Sequence, residues 1–289
     1  MNSKSPAAGK EKINFTSDRS RTDENRYPTI ENVFTIYKKN IPEDTETFPG
    51  HTDKKALVST DKKYTGNKNI PGLIQKIINN IPKHTIMYEM FAGSAAVSKI
   101  VSVGSLAQYF AVELDPEVIK QIPPHITAYE DSALLRLTRM IVGQNTSKQM
   151  NFTHEFIFLD PPYLHSTRSD SKLYKHELTE REHKNLLVLL KIIRSRVMII
   201  HPDCELYNTM LSDWRKVQVK IRYNNKTSIE NLYMNYSADV ELHTTKFLGA
   251  DCWDRQRIKR KGDNLISKLN RLSPNERKYL LERIKQEIK

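Results

Sequence analysis

Asp160-Pro161-Pro162-Tyr163 stands directly after the apolar run Phe156–Leu159. A carboxylate, two rigid residues and an aromatic ring therefore meet at the carboxyl end of an expected strand, where open α/β folds place their ligand crevices. These residue types suit chemistry on the exocyclic amine of a base. The lone pair of such an amine is delocalised into its ring, and acceptors aimed at its two hydrogens localise that pair on nitrogen. The Asp160 carboxylate and the Pro161 carbonyl supply two acceptors, and the prolines hold the backbone in place before a substrate arrives. Tyr163 offers a flat face for a base extruded from a duplex. In isolation the tetrapeptide also reads as an ordinary turn after a strand, so its context decides.

That context begins with Phe91-Ala92-Gly93-Ser94-Ala95-Ala96-Val97, a strand, turn and helix in which Gly93 lets backbone approach a ligand. Further on, the strand Gln108–Glu113 ends in Glu113 and Asp115, where nucleotide-binding α/β folds carry the acid that holds a ribose hydroxyl. A solvated acid at a strand end is the plain alternative for each. Asp131 follows a third, short strand near Ile126.

The elements that must position these residues alternate as in a parallel α/β protein. A stripe of Leu73, Ile74, Ile77, Ile78 and Ile81, opened by Pro71-Gly72 and closed by Pro82, predicts a leading helix. Strand Thr85–Phe91, a helix from Ser94, strand Gln108–Glu113, a helix after Pro116, a helix over 132–142 and strand Glu155–Leu159 follow. Thr179-Glu180-Arg181-Glu182 has the form of a capping box and opens a helix that turns Leu186, Leu187, Leu190 and Ile193 inward. Strand Val197–Ile200 and two runs, Val217–Tyr223 and Ile229–Tyr236, complete the core. The two runs predict an antiparallel hairpin at the edge of an otherwise parallel sheet. Tyr207, Trp214, Tyr223, Tyr233 and Tyr236 are read as sheet and core residues.

The expected architecture is α/β and Rossmann-like, of the class I methyltransferase kind, with helices on both faces. Residues 1–26 are polar and predict a disordered tail; 27–60 is a poorly defined segment; 61–250 forms the catalytic domain; 251–289 is a basic helical extension that contains a second capping box, Ser273–Glu276. The chain of 289 residues carries a net charge of +12, which favours a polyanionic partner. No run of apolar residues is long enough to span a membrane, and the first 26 residues lack the apolar core of a signal peptide; a cytoplasmic protein, monomeric by default, is expected. Two cysteines, Cys204 and Cys252, make neither a disulfide framework nor a zinc pattern, so no metal is expected.

Several passages together resemble the Dam-type (D12 class) DNA adenine methyltransferases, notably small phage-encoded ones. They are Tyr64-Thr65-Gly66-Asn67-Lys68, Ile81-Pro82-Lys83-His84, the Phe-x-Gly turn, Glu113-Leu114-Asp115-Pro116 and Asp160–Tyr163. Tyr174-Lys175-His176-Glu177-Leu178-Thr179, Glu205-Leu206-Tyr207 before Trp214, and the basic run Arg255–Lys261 extend the match to the C-terminus. The resemblance implies S-adenosylmethionine as cofactor, with Tyr64 and Lys68 at its methionine end, Phe91 and Gly93 beside its methyl-bearing half, Glu113 at the ribose and Asp131 at the adenine. Asp160 would border the cofactor and bind the target amine, with Pro161, Pro162 and Tyr163 completing the catalytic motif. Asp at the first motif position resembles adenine enzymes more than cytosine-N4 enzymes, and Asp in place of Asn departs from protein-glutamine methyltransferases.

Two departures from the family pattern stand out. Ala95 occupies the place of the second glycine in Phe-x-Gly-x-Gly, where a methyl group is expected to narrow the cofactor's berth. Phe91 and Asp160 are only 69 positions apart, which leaves the usual target-recognition region absent or minimal. Recognition of duplex DNA is then expected from the loop His165–Lys175, through Arg168, Lys172, Lys175 and the adjoining His176, in preference to segment 27–60 or the basic C-terminal run, whose Arg255, Arg257, Lys259 and Arg260 contact phosphates. A solvated helix face is the plain alternative for that last run. Methylation of adenine in RNA, or a catalytically weak nucleic-acid-binding module of the same fold, are the alternatives to DNA methylation, and a role in restriction-modification or as an orphan enzyme is left open.

Overall fold

The computed structural model describes residues 72–147, 151–168, 174–223 and 226–288. Tyr64, Lys68, Lys172, the tail over 1–26 and the segment 27–60 lie outside them. Seven strands form one sheet: β1 (Ile86–Met90), β2 (Gln108–Glu113), β3 (Thr127–Glu130), β4 (Glu155–Leu159), β5 (Arg196–Pro202), β6 (Arg215–Tyr223) and β7 (Lys226–Met234). Their order is β3-β2-β1-β4-β5-β7-β6. The first five run parallel, while β7 pairs antiparallel with both β5 and β6. This is the expected α/β, Rossmann-like layout, mostly parallel with its antiparallel hairpin at one edge. Pairing of the hairpin runs further into the polar stretch 224–228 than its composition suggested, to Tyr223↔Lys226.

Period-two alternation sends neighbouring side chains to opposite faces, and both faces are covered. Phe156, Phe158, Met198 and Ile200 join helices α1 (Leu73–Ile78) and α2 (Ala96–Val101) on one side. Ile157, Leu159, Val197 and Ile199 join α4 (Ala133–Thr146) and α5 (Glu180–Ile192) on the other. A short α3 (Pro116–Ile119) follows β2, and α6 (Glu205–Met210) follows β5. Tyr207, Trp214, Tyr233 and Tyr236 are all buried, as expected of core aromatics.

Local chemistry fixes the helix starts. Thr179 accepts from the Glu182 amide while Glu182 accepts from the Thr179 amide, closing the expected capping box of α5. The C-terminal helices α7 (Cys252–Asn270) and α8 (Pro274–Glu287) are capped by Asp251 and by the Ser273/Glu276 box, yet neither contains a buried residue. Between the turn after β1 and the start of β4 the described chain is occupied by α2, β2, α3, β3 and α4, which leaves no room for an inserted recognition region there. No helix among the described residues is long and apolar enough to cross a membrane.

Candidate active site

The carboxyl ends of β1, β2, β3 and β4 bring together Phe91, Gly93, Glu113, Asp131 and Asp160. Backbone bonds lace these ends: Ala92 N–H donates to the Val112 carbonyl at 3.0 Å, Asp131 N–H to the Glu113 carbonyl at 3.1 Å, and Asp160 N–H to the Met90 carbonyl at 3.4 Å. The turn after β1 is wound through the left-handed region at three alternate residues, Phe91 (φ 54°), Gly93 (φ 52°) and Ala95 (φ 57°). Glycine adopts that conformation freely, whereas Phe91 and Ala95 do so at a cost of roughly 1–2 kcal/mol each, and such strain persists where surrounding structure over-determines it. The Ala95 position thus retains the backbone of a glycine. Its methyl is fully buried in the cluster with Ala92 and Val97, so it takes up core space and not the exposed part of the crevice.

Glu113 ties the turn to the sheet. Its buried carboxylate accepts from Gly93 N–H at 2.7 Å through one oxygen, and from Leu114 and Asp115 N–H at 2.8 and 3.0 Å through the other. An ionised carboxylate has about four acceptor positions, so capacity for a further donor remains. Asp131 is half-buried and paired with two guanidinium groups, Arg136 at 3.1 Å and Arg139 at 2.8 Å. Arg136 also lies over the Tyr129 ring, 4.0 Å from its centre.

A fourth acid, Glu89, did not stand out as a site residue in the sequence. It points to the α2 side of the sheet, accepts from Val97 and Ser98 N–H at 3.3 and 2.7 Å, and is 3% exposed. Burial, reinforced by the charge of Asp160, pushes its carboxyl up to about 7. The available signal was an acid inside an otherwise apolar strand, two residues before the turn.

The Asp-Pro-Pro-Tyr segment leaves β4 with Pro161 buried and Asp160, Pro162 and Tyr163 half-buried. The Tyr163 hydroxyl donates to Glu230 of β7 at 2.9 Å, and its ring meets Tyr174 and His201 edge to face, with centroids 6.3 and 5.5 Å apart. Burial, with Asp160 and Glu230 nearby, holds the Tyr163 phenol well above its ordinary range, so it stays protonated and donates. The next amide, Leu164 N–H, donates to His201 Nε2 at 3.1 Å, and His201 Nδ1 lies 2.9 Å from the Pro202 carbonyl. That pattern assigns the neutral tautomer with hydrogen on Nδ1. His201 stacks on Tyr207 at 3.9 Å, whose hydroxyl meets His183 Nδ1 at 2.9 Å. His201 and Glu230 contribute from strands far along the chain, and no local motif announces them.

The residues expected to meet nucleic acid are divided by the structure. Arg168 forms a two-pronged pair with Glu177, its side chain 5% exposed, and its guanidinium lies 5.3 Å from the centre of the Tyr174 ring. Contact with a phosphate would require that pair to open. Lys175, more exposed, reaches Asp115 at 2.9 Å. These two contacts tie Arg168 to Glu177 and Lys175 to the turn after β2. Arg257 pairs with Asp254 and Lys259 with Asp263 along the surface of α7; Arg255 and Arg260 lie on the same helix. Among the described residues no cluster of His, Cys, Asp and Glu is arranged to hold a metal ion.

Residues 69–221 match one family. The chain belongs to the family described as conserved hypothetical protein 95. The matched span runs from just before α1 into β6 and so takes in the laced strand ends and the Asp-Pro-Pro-Tyr segment. No curated protein sequence matches the chain. Among solved structures, a candidate RNA methyltransferase from Pyrococcus horikoshii aligns with TM-score 0.36 and 11% identity over 56% of this chain and 78% of that one. TrmK of M. capricolum, solved with S-adenosyl-homocysteine, aligns at 0.35 and 13% over 73% and 93%. A candidate DNA modification methyltransferase encoded within an E. coli prophage aligns at 0.34 and 12% over 52% and 45%. Similarities of this size assign no substrate.

Proposed function

We propose that this chain is an S-adenosylmethionine-dependent methyltransferase acting on the N6 amine of adenine in DNA. The observation that carries the reading is the placement of Asp160-Pro161-Pro162-Tyr163 at the end of β4, beside the acid-bearing ends of β1, β2 and β3. The donor set suits the cofactor: Glu113 keeps acceptor capacity for a ribose hydroxyl, Asp131 stands next along the sheet edge, and the carboxylates of Glu89 and Asp160 favour a cationic sulfonium. Tyr64 and Lys68 complete the cofactor site in this reading, at the methionine end.

When bound, S-adenosylmethionine supplies an electrophilic methyl group. The chain's own task is to present the amine. An adenine turned out of the duplex enters beside Tyr163, whose ring is held by Tyr174 and His201 and whose hydroxyl is held by Glu230. Asp160 and the Pro161 carbonyl accept the two amine hydrogens and localise the nitrogen lone pair. Asp160 orients and polarises, and the proton leaves to water once methylation has made the amine acidic. Transfer is direct and in line, with no covalent link to the enzyme. Exposed cations of α7 contribute phosphate contacts.

The test is incubation of purified protein with labelled S-adenosylmethionine and DNA free of adenine methylation, followed by nucleoside mass spectrometry. N6-methyladenine is the expected product. N4-methylcytosine would overturn the base, and label appearing only in matched RNA would overturn the nucleic acid.

A further inference from the structure

The helix α7 has two unlike faces. At 3.6 residues per turn, Trp253, Arg260, Asn264 and Arg271 fall in one line, with Lys261 and Lys268 beside it, whereas Ile258, Leu265 and Leu269 fall on a separate stripe. Trp253 is 73% exposed, which leaves its ring open to a partner. Arg260, Lys261, Lys268 and Arg271 are exposed and make no ion pair among the described residues, in contrast to Arg257 with Asp254 and Lys259 with Asp263. Residues 251–289 hold twelve Lys and Arg against six Asp and Glu, half of the net charge of +12.

We infer that this line is a backbone-tracking surface that grips the phosphodiester chain of the substrate duplex away from the reacting base, with the Trp253 ring packing against the backbone at one end. The inference rests on the nucleic-acid reading above and narrows it: Arg255 and Lys259 fall about 160° and 120° round the helix from the line and are not part of the grip. From Trp253 to Arg271 the line runs about 27 Å, and base pairs rise roughly 3.4 Å each, so it covers most of a turn of duplex. Unpaired cations in a row give phosphates what they need, and one aromatic ring at the end of the row adds apolar contact with the sugars between them.

The attachment of the helix sets the division of labour. The chain reaches α7 from residues 241–247, which pair with residues 79–83: Lys83 N–H donates to the Glu241 carbonyl, His243 N–H to the Ile81 carbonyl, and Asn79 to the Phe247 carbonyl. Those residues precede β1 and mark the edge of the sheet where the parallel strands begin, opposite the edge that carries Asp160. Losing the line is expected to weaken binding more than the chemical step.

The experiment uses the full chain and a duplex oligonucleotide. Affinity is measured from 50 to 200 mM salt for the wild type, for Arg260→Ala/Lys268→Ala/Arg271→Ala, and for the charge-keeping Arg260→Lys/Arg271→Lys. Removing three phosphate contacts should flatten the loss of affinity across that range by about 40-fold, while the lysine variant keeps the wild-type slope. Fluorescence should respond to the oligonucleotide in the wild type and not in Trp253→Phe. Equal salt slopes in the triple-alanine variant and the wild type, with an unresponsive Trp253, would overturn the inference. Methyl transfer at saturating DNA separates the two readings: transfer without slope dependence keeps the enzyme and rejects the surface, and slope dependence without transfer does the reverse.

Discussion

The crevice at the strand ends and the C-terminal helix pair are built on opposite terms. At the strand ends three acids are tied down: Glu113 by three backbone amides, Glu89 by two, Asp131 by two arginines. Along α7 and α8 no residue is buried, and the ion pairs are short-range contacts on the surface. The contrast separates geometry from affinity. Chemistry on an amine needs groups held to within tenths of an ångström, which only burial and multiple bonds provide, whereas a polyanion is held by charges that need no fixed positions.

Four substitutions probe that contrast. The largest effect belongs to Asp160→Ala, which should lower methyl transfer by at least about 10²–10³-fold and leave S-adenosylmethionine affinity within a few-fold, read by labelled transfer and calorimetry; near wild-type turnover would remove the assigned role. Next, Glu177→Ala strands the Arg168 guanidinium in its buried position, and a loss of about 3 kcal/mol is expected in denaturant unfolding.

Glu89→Gln tests the buried acid through pH. The folded carboxyl titrates near 7 and the ordinary one at 4.5, so its effect on stability is absent below pH 4.5. The cost of burying its charge grows as pH rises and is complete above 7, at about 3 kcal/mol. The glutamine variant should lose correspondingly less stability between pH 4.5 and 7.5, measured by unfolding at each pH. The smallest effect is at Ala95→Gly. Relief of the left-handed strain, roughly 1–2 kcal/mol, is offset by loss of a buried methyl worth about 0.8 kcal/mol and by the greater freedom of glycine when unfolded. A net change within about 1 kcal/mol is expected in urea; a loss of several would show that the methyl supports the turn.

Much of the fold was legible because its signals are local. Strand β2 and strand β4 begin and end where alternation and flanking residues place them, and the capping boxes at Thr179 and Ser273 start their helices as their side chains require. The Phe91–Ala95 turn and Asp160–Tyr163 were legible as motifs, since turn chemistry and rigidity are written in consecutive residues. Arg168 shows the limit. Its type and place after Tyr163 suggested a residue that reads DNA, and the pairing of its guanidinium with Glu177 was not legible, because a charge seen in sequence carries no record of which opposite charge folds beside it.

The residues by themselves determined the order of strands and helices, the acids at the strand ends and the basic, weakly apolar character of the C-terminus, because periodicity, capping and composition act over a few residues. Only the tertiary structure decided that Glu230 holds Tyr163 across 67 positions and that His201 fixes the Leu164 amide across 37. It also decided that Glu89 faces α2 and that α7 springs from the sheet edge opposite the crevice. Those are pairings between distant segments, and a repeat of apolar residues names the face a side chain occupies, never the neighbour it meets there.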